Sequence, residues 1–310
     1  MGLRPLQNAT LSMNAFLKGA SAALTWAGIG LMRVLAFMPL PVVRGLGAAL
    51  GWVLYALVAP RRRVVTINLM LCFPELPAPE IKGLTQRTFV YFAQAWLDRS
   101  WVWHAPRSWL LRRVTMTGAV DELIGQEPTV VFTPHFVGMD AAWAGMVLRQ
   151  PRQSVTIYTD QSNKLIDRWI FNGRSRFGFM RLLGRASGIK PVIAAVRAGE
   201  PLYLLPDMDF GPLDSIFVPF FGLQTATVPS LPRLARLGKA KVVPAVVTMT
   251  RTGYEVHVYP AWPNYPSDDL VADTALMNRH LESYIKQNPA QYYWVHKRFK
   301  TRPDGEPSVY

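Results

Sequence analysis

Thr129-Val-Val-Phe-Thr-Pro-His-Phe-Val-Gly-Met-Asp140 is the stretch on which the fold turns. Thr129 to Thr133, five β-branched or aromatic residues in a row, read as a buried strand, and Pro134 stops it. His135 and a flexible Gly138 then follow, and Asp140 opens a helical pattern. On a continuous helix a spacing of five would set the two side chains roughly 140° apart, so they meet only if His135 stands on the loop. In that arrangement Asp140 accepts a hydrogen bond from one imidazole nitrogen and leaves the other free as a general base. The same pair also fits a purely structural reading, with His135 capping the helix and Asp140 offsetting its dipole.

Working outward, Ser154 to Tyr158, Pro201 to Leu205, Lys241 to Thr248 and Tyr254 to Tyr259 repeat the strand texture. Helix-like stretches lie between them at Asp140 to Arg149, Lys164 to Arg174, Lys190 to Arg197 and Leu231 to Leu237. Alternation of this kind predicts an α/β fold, a mixed open sheet layered by helices. Residues 61–310 contain no Pro/Gly/Ser linker and no repeat, so they read as one domain.

Before residue 61 the texture differs. Gly19 to Met32 and Gly45 to Pro60 are uncharged apolar runs, with Val34 to Val43 between them and Arg33 and Arg44 as punctuation. Neither reaches the ~20 residues of a spanning helix, but Gly19 to Met38 becomes one if Arg33 snorkels, and Pro39 and Pro41 then end it. Gly47 and Gly51 form a small-xxx-small pair suited to close helix packing. Residues 1–60 therefore read as a membrane-attachment helical segment outside the catalytic core, with an ordinary buried helical pair as the alternative, and Arg61 to Arg63 place the rest on the cytoplasmic side.

Composition agrees. The 310 residues carry 34 Lys+Arg against 20 Asp+Glu, a net charge of +14, yet half are hydrophobic and only 17% charged. Basicity on so apolar a chain points to a membrane surface and away from nucleic acid. A single cysteine, Cys72, excludes an internal disulfide framework. Gly45-Leu-Gly47 lacks the preceding strand of a dinucleotide fingerprint and no Walker loop exists, so no cofactor is expected. Asp207 and Asp209 fall at the C-terminal end of a strand, where α/β sheets place their sites. No His or Cys adjoins them to complete a metal site, and polar contacts that position Arg174 or substrate are expected instead.

The chain resembles the late acyltransferases of lipid A biosynthesis, within the lysophospholipid and glycerolipid acyltransferases. The resemblance rests on an ordered set: Asn68-Leu-Met-Leu-Cys-Phe-Pro-Glu75, His135 to Asp140, Asn172-Gly-Arg-Ser-Arg176, Pro206-Asp-Met-Asp-Phe-Gly211, Phe217-Val-Pro-Phe-Phe-Gly222 and Gln291 to Gly305. Many relatives have Glu at the position of Asp140, and Asn-Trp where this chain has Gly138-Met139. The resemblance implies an acyl carrier protein as donor, a hydroxyacyl group of a lipid A precursor as acceptor, and the cytoplasmic face of the inner membrane as the place. It implies His135 as the base oriented by Asp140, with Arg174 and Arg176 as candidates for the oxyanion or the acceptor phosphates. Arg298 and His296 would brace the site, and Phe217 to Gly222 would border the acyl or sugar pocket. An acyltransferase acting on another membrane lipid acceptor and a non-catalytic basic protein docked on anionic lipid are the competing readings.

Overall fold

The computed structural model describes residues 21–150, 152–184 and 188–310. The start of the apolar run at Gly19 lies outside them. The chain forms an α/β fold around a seven-stranded mixed sheet. Its strands are β1 (Val114–Gly118), β2 (Thr129–Phe132), β3 (Ser154–Tyr158), β4 (Met180–Gly184), β5 (Leu202–Leu204), β8 (Lys241–Thr250) and β9 (Gly253–Val258), in the order β1-β9-β8-β2-β5-β3-β4. Only the β8/β9 pairing is antiparallel. All four residues of central β2 are buried, as a strand covered on both faces requires. One helical layer holds α4 (Ala78–His104), α5 (Arg107–Arg113), α6 (Met139–Arg149) and α7 (Lys164–Ser175); the other holds α8 (Lys190–Arg197), α9 (Ser230–Gly238) and α10 (Leu270–Gln287).

Phe217 to Gly222, expected to border the acyl or sugar pocket, is not part of the lining of the cavity that holds His135. It is the tip of a hairpin, β6 (Ile216–Phe220) and β7 (Leu223–Thr227), turned by Phe221 and Gly222, both at positive φ. The hairpin is pinned to α10, where Asn278 donates to the Pro219 carbonyl at 3.0 Å and Glu282 accepts from the Phe221 amide at 2.7 Å.

The N-terminal helices are α1 (Ser21–Leu35), α2 (Leu40–Leu57) and α3 (Ala59–Cys72). Pro41 sits in the first turn of α2, where the missing amide has no intrahelical partner to lose. Among the described residues, α2 is the one helix long and apolar enough to cross a membrane, whereas α1, which carries the run expected to do so, is shorter. Val42, Leu46, Trp52, Val53 and Leu57 leave one face of α2 bare. Leu40, Val43, Arg44, Gly47 and Gly51 form the opposite stripe.

That stripe packs on α4 as the small-xxx-small pair predicts. A Cβ on Gly47 would lie 2.7 Å from the Gln94 Cα, and one on Gly51 2.6 Å from the Val90 Cα, so any side chain would part the helices. Arg44 is buried and donates to Asp98 through Nε at 3.1 Å and Nη2 at 3.0 Å, and also to the carbonyls of Thr250 and Gly253 in the β8–β9 turn. The boundary after Pro60 is therefore not a break in packing, because α2 is keyed into the sheet domain by a buried charge.

Candidate active site

The strand-end loop stands where the sequence places it, but its partners differ. After β2 the chain is strapped against residues 291–293: the Tyr293 amide donates to the His135 carbonyl at 2.9 Å and the Val137 amide to the Gln291 carbonyl at 2.8 Å. Gly138 then turns with φ +85° into α6. Only glycine fits there on two counts, since a Cβ would also lie 2.1 Å from the Tyr254 ring.

His135 and Asp140 do not pair. Asp207, fully buried beyond β5, accepts from the His135 ring at Nδ1, 2.7 Å from Oδ1, and from the His135 amide at 2.9 Å. With Nδ1 committed, Nε2 is the free nitrogen, and His135 lines the cavity described below. The correction has a simple geometric cause. Gly138 swings Asp140 into the first turn of α6 on the side of α4 and α7, while the parallel pairing of β2 with β5 brings the chain after Leu204 alongside the chain after Phe132.

Asp207 is further held by the Tyr292 hydroxyl at 3.0 Å from Oδ2. Burial acts to raise this carboxyl, but His135 and the hydrogen bonds from His135 and Tyr292 outweigh it and hold it below the usual range. Tyr292 carries no signal of its own in the sequence beyond a place in the Gln291 to Gly305 tail. Tyr292→Phe removes one donor to a buried carboxylate without changing shape. It is expected to cost about 1.5–3 kcal/mol in denaturant unfolding and to lower kcat with KM unchanged.

Asp140 serves the cations. Its two oxygens accept from Nε of Arg174 and Nε of Arg99, each at 2.8 Å. Burial opposes ionisation, yet the two guanidiniums prevail and pull the carboxyl down to about 2. Arg99, which carries no sequence signal, projects from α4 between the rings of Trp96 and Trp103. Arg174 lines the cavity, and its terminal Nη groups make no hydrogen bond among the described residues. A cation held by one edge with its fork free is suited to stabilise developing negative charge.

Two other predicted site residues are structural. Arg176 donates to the carbonyls of Val102 and Ala105 at 3.0 and 2.8 Å, closing the C-terminal end of α4. Arg298 is buried and donates to the Ala226 carbonyl and the Thr227 hydroxyl, tying the C-terminal strap to β7. Neither lines the cavity. Asp207 positions His135, not Arg174. Asp209 reaches the cavity wall, but its carboxylate is taken up by Thr301 and the Gly211 amide.

The Asp209 amide donates to His296 Nε2 at 3.1 Å, which requires that nitrogen unprotonated. Burial chiefly, and then Arg298, bring His296 down to about 4. An unfolded histidine titrates near 6.5. Stability from this group is thus complete above pH ~6.5 and lost as pH falls through that window toward 4. His104 and His280 are lowered in the same direction by burial, so the full-length protein is expected to lose stability over this range. Thermal melts of His296→Gln should show a shallower slope than wild type.

The cavity holds about 440 Å³. Ala142, Trp143, Met146, Leu204, Ala245 and Val247 contribute apolar lining, and His135, Arg174, Asp209 and His296 are among its charged or titratable lining residues. A mostly apolar cleft with few convergent polar groups is what a ligand with a long hydrocarbon and a reactive head requires.

The family model described as bacterial lipid A biosynthesis acyltransferase matches residues 15–301. The chain belongs to this family. It is 32% identical over 294 residues to the lipid A biosynthesis lauroyltransferase of Escherichia coli (strain K12), covering 93% of this chain and 94% of the relative. The palmitoleoyltransferase of the same organism is 31% identical over 297 residues, at 93% and 94% coverage, and its myristoyltransferase 32% over 296, at 92% and 89%. The crystal structure of the 1-acyl-sn-glycerophosphate acyltransferase of Thermotoga maritima aligns with a TM-score of 0.37 and 11% identity, over 79% of this chain and 95% of that one.

Proposed function

We propose that this acyltransferase is membrane-associated and moves a fatty acyl chain from an acyl carrier protein thioester to the hydroxyl of a hydroxyacyl group on a lipid A precursor. The observation that carries the reading is the His135–Asp207 pair, with the second imidazole nitrogen left to an apolar cavity. In the forward step His135 Nε2 takes the acceptor hydroxyl proton as that oxygen attacks the thioester carbonyl. Asp207 keeps the ring in the Nδ1–H tautomer and stabilises the imidazolium that forms. The carbonyl oxygen becomes an oxyanion facing the Arg174 fork, which Asp140 and Arg99 hold in place. Collapse breaks the C–S bond, and the imidazolium returns its proton to the departing thiolate. One ester forms, one thioester is lost, and no covalent enzyme intermediate is involved.

The bare apolar faces of α1 and α2, with Arg61 to Arg63 following, support attachment to the cytoplasmic leaflet, where a soluble carrier and a membrane-held acceptor both have access. The test is purified protein with a panel of acyl carrier thioesters and a tetra-acylated disaccharide bisphosphate. Mass spectrometry should find the acceptor heavier by one acyl group. A product formed only on an aminolipid or glycerolipid acceptor refutes the assigned substrate.

A further inference from the structure

Away from the catalytic cavity, a groove of about 1000 Å³ lies between α3 and the first half of α4. Ile67, Met70, Phe73, Leu76 and Ile81 give it an apolar floor, and Met70 is 57% exposed. Arg62, Arg63 and Lys82 stand on its rim, and no Asp or Glu lines it; Glu75 and Glu80 lie exposed at the α3–α4 corner. Arg62 is partly engaged, since it turns back to the carbonyls of Tyr55 and Ala56. Arg63 and Lys82 are exposed, with no ion pair or hydrogen bond to any described residue.

The groove's relation to the active site follows from α3. Asn68 donates to the carbonyls of Trp294 and His296, each at 2.8 Å, and Arg61 to that of Val295 at 3.2 Å, so one face of α3 backs the strap that carries Tyr293 and His296. Residues two further along, Arg63 and Met70, point ~200° around the same helix, into the groove. Groove and active-site strap are thus separated by about one helix diameter, ~10–12 Å.

We propose that this groove is the docking surface for the acidic acyl carrier protein, which lays an acidic amphipathic helix into it. The inference rests on the carrier protein being the acyl donor. A cleft between two helices, with an apolar floor, an adaptable methionine and unpaired cations on the rim, matches a helix with apolar anchors and flanking carboxylates. A bilayer presents a flat surface and suits the convex bare face of α2 instead. Docking here leaves the carrier's prosthetic arm one helix width from the strap whose Tyr293 and His296 line the cavity that holds His135.

The test uses the full chain in detergent micelles and a fluorescently labelled carrier bearing its prosthetic arm without an acyl chain. Arg63→Glu with Lys82→Glu is compared with a control of equal charge change, Arg233→Glu with Arg279→Glu, both remote in sequence from α3 and α4. In the groove pair, carrier Kd and the KM for acyl carrier should rise about tenfold or more, with kcat at saturating carrier within about twofold of wild type. Wild-type binding should weaken steeply from about 50 to 300 mM salt, and the groove pair should lose most of that dependence. Met70→Gln, which keeps the charges, should also raise Kd. Unchanged carrier binding in the groove pair, or an equal loss in the control pair, overturns the proposal. So does a groove pair that binds carrier normally but no longer floats with phosphatidylglycerol vesicles, which makes the groove a lipid contact. A wild-type protein that neither binds nor uses the carrier refutes the donor assignment itself.

Discussion

His135→Gln is expected to lower acyl transfer by roughly 10²–10⁴-fold while the protein stays folded, because the substitution removes the general base and little packing. Asp207→Asn should fall in the same range. An amide at position 207 can offer His135 Nδ1 its own N–H, which favours the tautomer that carries its proton on Nε2 and so cannot accept one there. The sequence alone assigns this second effect to Asp140. Asp140→Asn should behave differently, since it loosens Arg174 and Arg99 and leaves two guanidiniums without the carboxylate between them. Its loss should appear in stability as well as rate, and as a weaker ability to stabilise the oxyanion. Steady-state kinetics of the three variants beside their unfolding curves separates these roles.

Arg44→Met should cost about 3–5 kcal/mol, more stability than any of the active-site substitutions, because it strands the Asp98 carboxylate in the interior. Asp98 would retain the Tyr254 hydroxyl at 2.7 Å and the Trp101 indole at 2.9 Å, but no ion pair with any other described residue. Arg44→Met with Asp98→Leu should recover part of the loss, which chemical denaturation in detergent can measure. The consequence extends to function. Tyr254 packs on Gly138, and Arg99, next to Asp98 on α4, holds Asp140, so α2 supports the loop that presents the catalytic groups. A chain beginning at Arg61 should therefore fail to fold stably, although the sequence alone places residues 1–60 outside the catalytic core.

Much of this architecture is legible in the sequence. Continuous apolar strands such as Val130 to Phe132 and the amphipathic stretches α7, α8 and α9 announce themselves by periodicity. Gly47 and Gly51 announce a close helix contact, though not that its partner is α4. β4 carries Arg181 and half-exposed leucines and has no such pattern. α4 is harder for another reason: aromatic residues stand on all its sides, because it meets α2, α3, α6 and α7 at once. At the site, His135 is visible because strand, proline and loop follow in a row. Its true partner lies 72 residues away, just past the end of a neighbouring parallel strand, a relation set by sheet order that no local spacing reveals. Arg176 and Arg298 mislead for a related reason. A motif marks a residue without saying whether its guanidinium faces substrate or backbone carbonyls.

The claim that Asp207 acts through His135 is tested most directly by a double-mutant cycle on kcat/KM for acyl transfer, with His135→Ala and Asp207→Asn made singly and together. If the two form one unit, Asp207→Asn should cost little once His135 is gone, and the double variant should match His135→Ala within a few-fold. If the two losses multiply, Asp207 acts independently of the imidazole and the assignment is wrong.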